Sequence, residues 1–214
     1  MASTWHTVAT KDVSLLRRQL DIISELPRDY VFQNYLRCHD DIGWGLDYEY
    51  LENFFIQEVP HKKYLNDFLT GKYPDSFARG ELYNDDPRLG DARLCGTTAS
   101  LCGIERFGFE GNQEGVDRAV RYDITLHAFM LSQSGIPVIY SGDEIGQVND
   151  YSYKDDPENP MIHVIFTEEN STGSWLKTVM ILLLYRVNFS LCLINWSISV
   201  QPWYIQQQRA NSYH

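Results

Sequence analysis

The sequence has few basic residues, and this scarcity excludes several classes of partner. Only 18 Lys and Arg stand against 29 Asp and Glu in 214 residues, so the formal net charge is −11. A surface of that sign repels phosphate groups, which argues against a nucleic-acid partner and against an anionic membrane surface. The first twelve residues also lack an apolar signal region, so we predict a cytoplasmic protein. A neutral polar small molecule is compatible with this charge.

Cysteine is scarce as well, and its spacing excludes the usual cysteine frameworks. The chain has four cysteines, and none stands at the short intervals of a metal-binding motif. The pattern predicts reduced thiols rather than disulfides, and it predicts no metal and no cofactor. These cysteines are Cys38, Cys95, Cys102 and Cys192.

Hydrophobic periodicity predicts alternating helices and strands in the first 150 residues. Helical spacing of apolar residues predicts amphipathic helices over 11–26 and 114–133. Tyr, Val and Phe over 30–37 predict a strand, and 136–146 predicts a buried strand followed by an acidic turn. Alternation of this kind is typical of an α/β protein with parallel strands.

Polar residues follow the first predicted strand, where His39, Asp40 and Asp41 precede an aromatic residue, Trp44. The carboxyl ends of the strands of a parallel barrel form the substrate-binding face. The segment over 35–44 therefore predicts a site held by a strand and presented by a turn. An ordinary loop, with His39 bonded to backbone, is the alternative explanation.

Three segments together resemble a known family. They are "RCHDDIGW", "SFARGELYNDDPRLGDARLCGTTASLCGIE" and "GIPVIYSGDEIGQVND". In this order and spacing they resemble the α-amylase superfamily, glycoside hydrolase family thirteen, and within it the amylosucrase branch. The resemblance extends over roughly residues 5–156. It implies the last part of a (β/α)8 TIM barrel, with an inserted subdomain over 45–113 after the seventh strand and a barrel portion that ends near residue 158.

The resemblance also implies roles for individual residues. Asp40 is expected to be the carboxylate that stabilises the transition state, and His39 is expected to bind the same glucosyl ring. Asp41 and Arg93 are expected to contact the neighbouring subsite. For Arg93 the alternative role is a purely structural ion pair with Asp91. The implied partner is sucrose or an α-glucan oligosaccharide.

Two acidic residues after the eighth predicted strand, Asp143 and Glu144, are expected to be structural. The positions of His61, Lys62 and Lys63 predict a solvated helix face.

Catalysis by this family needs a nucleophile and a general acid about 5 Å apart. In the family both precede the helix that 11–26 resembles, so we expect the chain alone to be an inactive fragment of a retaining glycosidase or glucosyltransferase. The alternative is a non-enzymatic carbohydrate-binding or interaction module derived from an amylase-like protein.

The tail over 159–214 departs from the family pattern. One permitted set of codons for 161–176, read in another frame, gives the Asp-Ser-Arg continuation that the family shows there. We therefore expect an out-of-frame or non-native tail. A membrane segment is the alternative, but Arg186 and several polar residues interrupt its apolar run, which makes membrane association the weaker explanation.

Overall fold

A computed structural model describes residues 1–39, 42–83, 85–86, 88 and 92–152. Within them it has seven α-helices and four short strands. The helices are α1 Ala2–Thr10, α2 Ser14–Ser24, α3 Tyr48–Glu52, α4 Glu58–Leu69, α5 Thr98–Leu101, α6 Ile104–Phe109 and α7 Gln113–Ser132. The strands are β1 Gln33–Asn34, β2 Glu81–Tyr83, β3 Arg93–Cys95 and β4 Ile136–Pro137. A 3₁₀ turn covers Asp143–Ile145. No helix in the described ranges is long and apolar enough to span a bilayer.

The two predicted amphipathic helices are confirmed with small shifts at their ends. The first is α2, and the second is α7, whose N-cap Asn112 accepts a hydrogen bond from the backbone of Gly115. An Asn side chain at this position satisfies one of the amide groups that a helix start leaves without a partner. Helix α1 was not anticipated from the sequence. It carries the fully buried Trp5, whose indole donates to the carbonyl oxygen of Leu36 at 2.9 Å.

The strands form two separate two-stranded sheets in the described residues. β1 pairs with β4 in parallel, with Gln33 opposite Ile136 and Asn34 opposite Pro137. The intervening chain contains all of the inserted segment and α7, which returns the backbone to run beside β1. β2 and β3 form an antiparallel pair within that insertion.

The main core joins the amino-terminal helix to the inserted segment. It is built from buried side chains of α1, α4 and β3 and from two residues of α7, Leu126 and Met130. A smaller core lies where α5 and α6 pack on the first half of α7. Burial of these apolar faces therefore fixes α7 between the two cores.

The strand and the acidic turn predicted over 136–146 are present as β4 and the 3₁₀ turn, but the predicted burial of the strand was wrong. The strand is only two residues long, and Ile136 and Val138 expose 53 % and 38 % of their surfaces. A continuous apolar run predicts burial on both faces of a sheet. In the described chain the sheet has no third strand and little covers its faces, so the apolar side chains stay exposed.

The prediction of a solvated face over residues 61–63 was wrong for two of its three members. Lys63 is exposed, but Lys62 is buried and His61 is half-buried. Lys62 forms an ion pair with Glu58 at 2.8 Å on its own helix. The helix turns this face toward α1 because both helices bury apolar residues in the main core.

Candidate functional site

The segment that the sequence predicts as a site turn lies between buried residues on either side. On one side Leu36 and Arg37 are buried, and on the other Ile42 is buried. Between them His39 is exposed. Asp40 and Asp41 lie outside the described residues. The described residues before and after them are fixed by contacts with the rest of the protein.

Arg37 is the anchor on the strand side of the turn. Its Nε donates to Oδ1 of Asp143 at 2.7 Å, and its Nη2 donates to the carbonyl oxygen of Ser141 at 3.2 Å. The guanidinium carbon also lies 4.4 Å from the ring centre of Tyr140. Arg37 exposes only 2 % of its surface. The end of β1 is thus bound to the segment that follows β4.

Ile42 is the anchor on the other side. It exchanges two backbone hydrogen bonds with Leu94 of β3, at 2.7 and 3.1 Å. This pairing brings Arg93 beside the turn, because a Cβ placed on Gly43 would lie 2.6 Å from Nη1 of Arg93. Arg93 therefore lies beside Gly43, four residues after His39 in the chain, and the roles of His39 and Arg93 in two adjacent subsites stay a prediction. The predicted partner of Arg93, Asp91, lies outside the described residues.

A buried ion network lies beneath the turn, and we use that name for Arg37, Thr98, Asp123, His127 and Asp143. All five residues are almost fully buried. His127 Nδ1 lies 3.1 Å from Oδ1 of Asp123, and its Nε2 lies 3.9 Å from Oδ2 of Asp143. The Thr98 hydroxyl is 3.2 Å from Asp143 and 3.4 Å from Asp123. The network joins β1, α5, α7 and the 3₁₀ turn at a single point.

The electrostatics of the network favour a charged histidine. Burial by itself would lower the pKa of His127, but the adjacent Asp123 and Asp143 carboxylates outweigh it and raise the pKa to about 10. With His127 protonated, the network sets two cationic side chains, Arg37 and His127, against Asp123 and Asp143. This balance matters because an unpaired buried charge costs several kcal/mol.

A second buried group of polar side chains surrounds Asn149. Its side-chain oxygen accepts a hydrogen bond from the backbone of Thr97 at 2.9 Å, and its own backbone donates to the Ser100 hydroxyl at 2.9 Å. Glu105 accepts hydrogen bonds from Ser100 and from Tyr151, and burial raises the pKa of Glu105. These bonds fasten the segment after the 3₁₀ turn to α5 and α6.

Sequence reasoning missed both buried polar groups. Asp123 and His127 lie at i and i+4 on α7, a spacing that places them on one helix face. This spacing was the sequence signal that could have indicated the network. A polar pair inside an apolar helix face is unusual enough to indicate a buried network. The structural role expected for Asp143 agrees with its ion pair to Arg37.

Comparison with known families adds no assignment, since no family model matches the chain. Within the described ranges, no group of three or more His, Cys, Asp or Glu side chains is arranged to hold a metal ion. Cys95 and Cys102 are buried and Cys38 is partly buried, and none of the three forms a disulfide with another described residue. Burial and the nearby carboxylates of Asp123 and Asp143 raise the pKa of Cys102, which makes it a poor nucleophile.

Proposed function

We propose that the chain provides the glucosyl-binding part of an amylosucrase-like site and binds the glucosyl unit of sucrose or of an α-glucan through His39 and Asp40. In this proposal β1 and β4 correspond to the seventh and eighth strands of a catalytic barrel. Asp40 supplies the carboxylate that stabilises positive charge on the sugar ring. Asp41 and Arg93 contact the adjoining sugar.

One observation carries the proposal. β1 and β4 pair in parallel, and the Arg37–Asp143 ion pair at 2.7 Å joins the segments at their carboxyl ends. Substrates bind at that end of parallel strands in barrel enzymes. His39 is exposed two residues beyond the anchor, where a ligand from solvent can reach it.

The chemistry of these residues suits a polar, uncharged ligand. The oxocarbenium-like transition state of glycosyl transfer is stabilised by a nearby carboxylate and by hydrogen bonds to ring hydroxyls. His39 offers a ring nitrogen to a hydroxyl group, and Arg93 offers several donors. We assign no nucleophile and no general acid in this sequence, so the proposal covers binding and charge stabilisation.

Ligand-observed saturation-transfer NMR on the 214-residue chain, with sucrose and with maltotriose, tests the proposal. We expect binding of at least one sugar and at least a tenfold loss of affinity in His39→Ala and in Asp40→Asn. Asp117→Asn, which changes a partly exposed carboxylate on α7, is the matched control and should bind as the unmodified chain does. The proposal is overturned if neither sugar binds, or if both site variants bind with unchanged affinity.

The alternative of a non-enzymatic interaction module gives a different result in the same experiment. A module that has lost the glucosyl site would give no saturation transfer to either sugar, with the fold intact by circular dichroism. A module that has kept only sugar binding would show saturation transfer to a sugar, as the enzyme fragment would. It would differ from the enzyme fragment only when the missing strands are supplied as part of a complete barrel.

A further inference from the structure

The turn between α3 and α4 carries two exposed phenylalanines. Phe55 exposes 97 % of its surface and Phe54 exposes 53 %. The ring of Phe54 lies edge to face against Tyr50, with ring centres 5.1 Å apart. We call Phe54, Phe55 and the preceding Glu52 the aromatic tip. A phenyl ring in water costs free energy that burial would recover, so the tip is unfavourable for the chain by itself.

The backbone of Phe55 is also unfavourable. Its φ is 60°, in the left-handed region. Its amide donates to the carbonyl oxygen of Glu52 at 2.9 Å, and the amide of Ile56 donates to that of Leu51 at 3.3 Å. This pair of bonds ends a helix in the Schellman motif, whose left-handed position is usually a glycine because a side chain there is strained. The chain has a phenylalanine at that position instead.

These two features of Phe55 together indicate a contact that buries its ring. A glycine would relieve the backbone strain, and it would also remove the exposed apolar surface. Strained residues other than glycine are concentrated at functional positions such as ligand clamps. Exposed apolar groups with polar residues around them are typical of interaction sites. Phe55 is therefore better explained by an occupant that covers the tip than by the stability of the chain.

The charge around the tip limits what that occupant can be. Glu49, Glu52 and Glu58 are exposed on the two helices that flank it. Glu58 is paired with Lys62, and the other two add negative charge to the tip. Complementary charge favours association, and like charge opposes it. The occupant should therefore offer apolar surface next to a positive charge.

A cleft of this kind lies between α2, β1 and the end of α7. Its volume is about 590 Å³, within the range of pockets that hold drug-sized molecules, so it can accept a phenyl ring. Arg28 is exposed, and it is the one charged side chain among the described residues that line the cleft. The apolar part of the lining includes Leu16, Leu20, Ile23, Phe32, Phe129 and Met130.

We propose that the aromatic tip of one copy of the chain docks in this cleft of a second copy, with Phe55 against the apolar lining and Glu52 beside Arg28. The tip and the cleft share no residue, so the contact is heterologous. Each copy in such a contact can still use its other surface, and association continues head to tail into rings or open chains. The inference goes beyond the carbohydrate proposal and does not depend on it.

Sedimentation velocity of the full chain over a range of concentration tests the contact. All the proteins also carry Val138→Lys, which discourages pairing along the exposed sheet. We expect the average mass to rise with concentration, and the association to be at least tenfold weaker in Phe55→Ala and in Arg28→Glu. The matched controls are Phe109→Ala and Arg121→Glu, which change an exposed phenylalanine on α6 and an exposed arginine on α7. Both controls should associate as the reference chain does.

An equimolar mixture of Phe55→Ala and Arg28→Glu tests the head-to-tail geometry. The intact tip of the Arg28→Glu chain fits the intact cleft of the Phe55→Ala chain. The mixture should therefore form a 1:1 dimer and nothing larger, although each variant alone associates weakly. Association of another kind would stay as weak in the mixture as in the separate variants.

Phe55→Gly separates a role in docking from a role in folding. Glycine relieves the left-handed strain, so we expect the melting temperature to rise by about 2 °C, while association is lost as in Phe55→Ala. A lower melting temperature would mean that Phe55 stabilises the fold, and it would overturn the proposal. The proposal is also overturned if the reference chain stays monomeric, if Phe55→Ala associates as strongly as Phe109→Ala, or if the mixture gives no dimer.

Discussion

At the residue scale, the site segment depends on a buried charge rather than on the exposed residues that a ligand would meet. Arg37 stands two positions before His39, and its side chain points inward to Asp143, Ser141 and Tyr140. Its ion-pair partner Asp143 is equally buried, so each charge depends on the other in a place that water does not reach. A substitution in this network therefore changes the stability of the turn without removing a group that would contact a sugar.

We predict that Asp143→Asn lowers the free energy of unfolding by about 3–5 kcal/mol, because it leaves the Arg37 charge buried without its partner. Urea unfolding followed by circular dichroism measures this loss. The double change Arg37→Met with Asp143→Leu removes both charges and should cost less than Asp143→Asn alone. The control Glu110→Gln breaks the partly exposed pair with Arg106, at 2.8 Å, and should cost about 0.5 kcal/mol or less. If Asp143→Asn lowered the free energy of unfolding as little as Glu110→Gln does, the network would contribute little to stability.

At the scale of elements, one glycine in the short connection from α7 to β4 makes the parallel pairing possible. Gly135 has a φ of 127°, a conformation that L side chains rarely adopt. A Cβ at this position would lie 2.3 Å from the carbonyl oxygen of Phe32. That same oxygen accepts the hydrogen bond from the backbone of Ile136 at 2.7 Å. The glycine thus allows the close approach of the two strands.

We predict that Gly135→Ala destabilises the protein by about 1–3 kcal/mol, since it adds both backbone strain and a clash with the β1 backbone. Amide hydrogen exchange should show faster exchange at Ile136 and Val138, whose amides bond to β1. Gly45→Ala is the matched control, because nothing lies within 4 Å of a Cβ there and its φ is not in the left-handed region. A Gly135→Ala protein as stable as the Gly45→Ala protein would contradict the close approach.

At the scale of the whole molecule, exposed apolar side chains lie in and beside the parallel β1–β4 sheet. Val31 and Ile136 expose 66 % and 53 % of their surfaces, and the sheet has only two strands in the described residues. Parallel sheets normally have both faces covered. Exposed strand edges with apolar side chains also favour association between chains.

We predict that the isolated chain self-associates through this sheet, and that Val138→Lys reduces the association. A lysine on an exposed strand discourages edge pairing by its charge and its hydration. Light scattering coupled to size exclusion, over a range of protein concentration, measures the effect. Val13→Lys changes an exposed valine outside the sheet and should leave association as it is. A monodisperse monomer at high concentration, before any substitution, would contradict the prediction.

The sequence by itself determined the features that depend on near neighbours. The helices α2 and α7 follow from apolar spacing, and the turn after α7 follows from Gly135. The segment with His39, Asp40 and Asp41 was identified from the order of its residues, and their roles remain a prediction. Local periodicity carries this information because a helix or a turn satisfies most of its backbone within a few residues.

Only the tertiary structure decided which distant residues meet. The ion pair of Arg37 with Asp143 joins positions 106 residues apart, and the contact of His6 with His61 joins two helices whose facing surfaces no periodicity reveals. The same cause explains the wrong predictions for Lys62 and for the strand at Ile136. Burial depends on which element packs against a residue, and that partner lies far away in the chain.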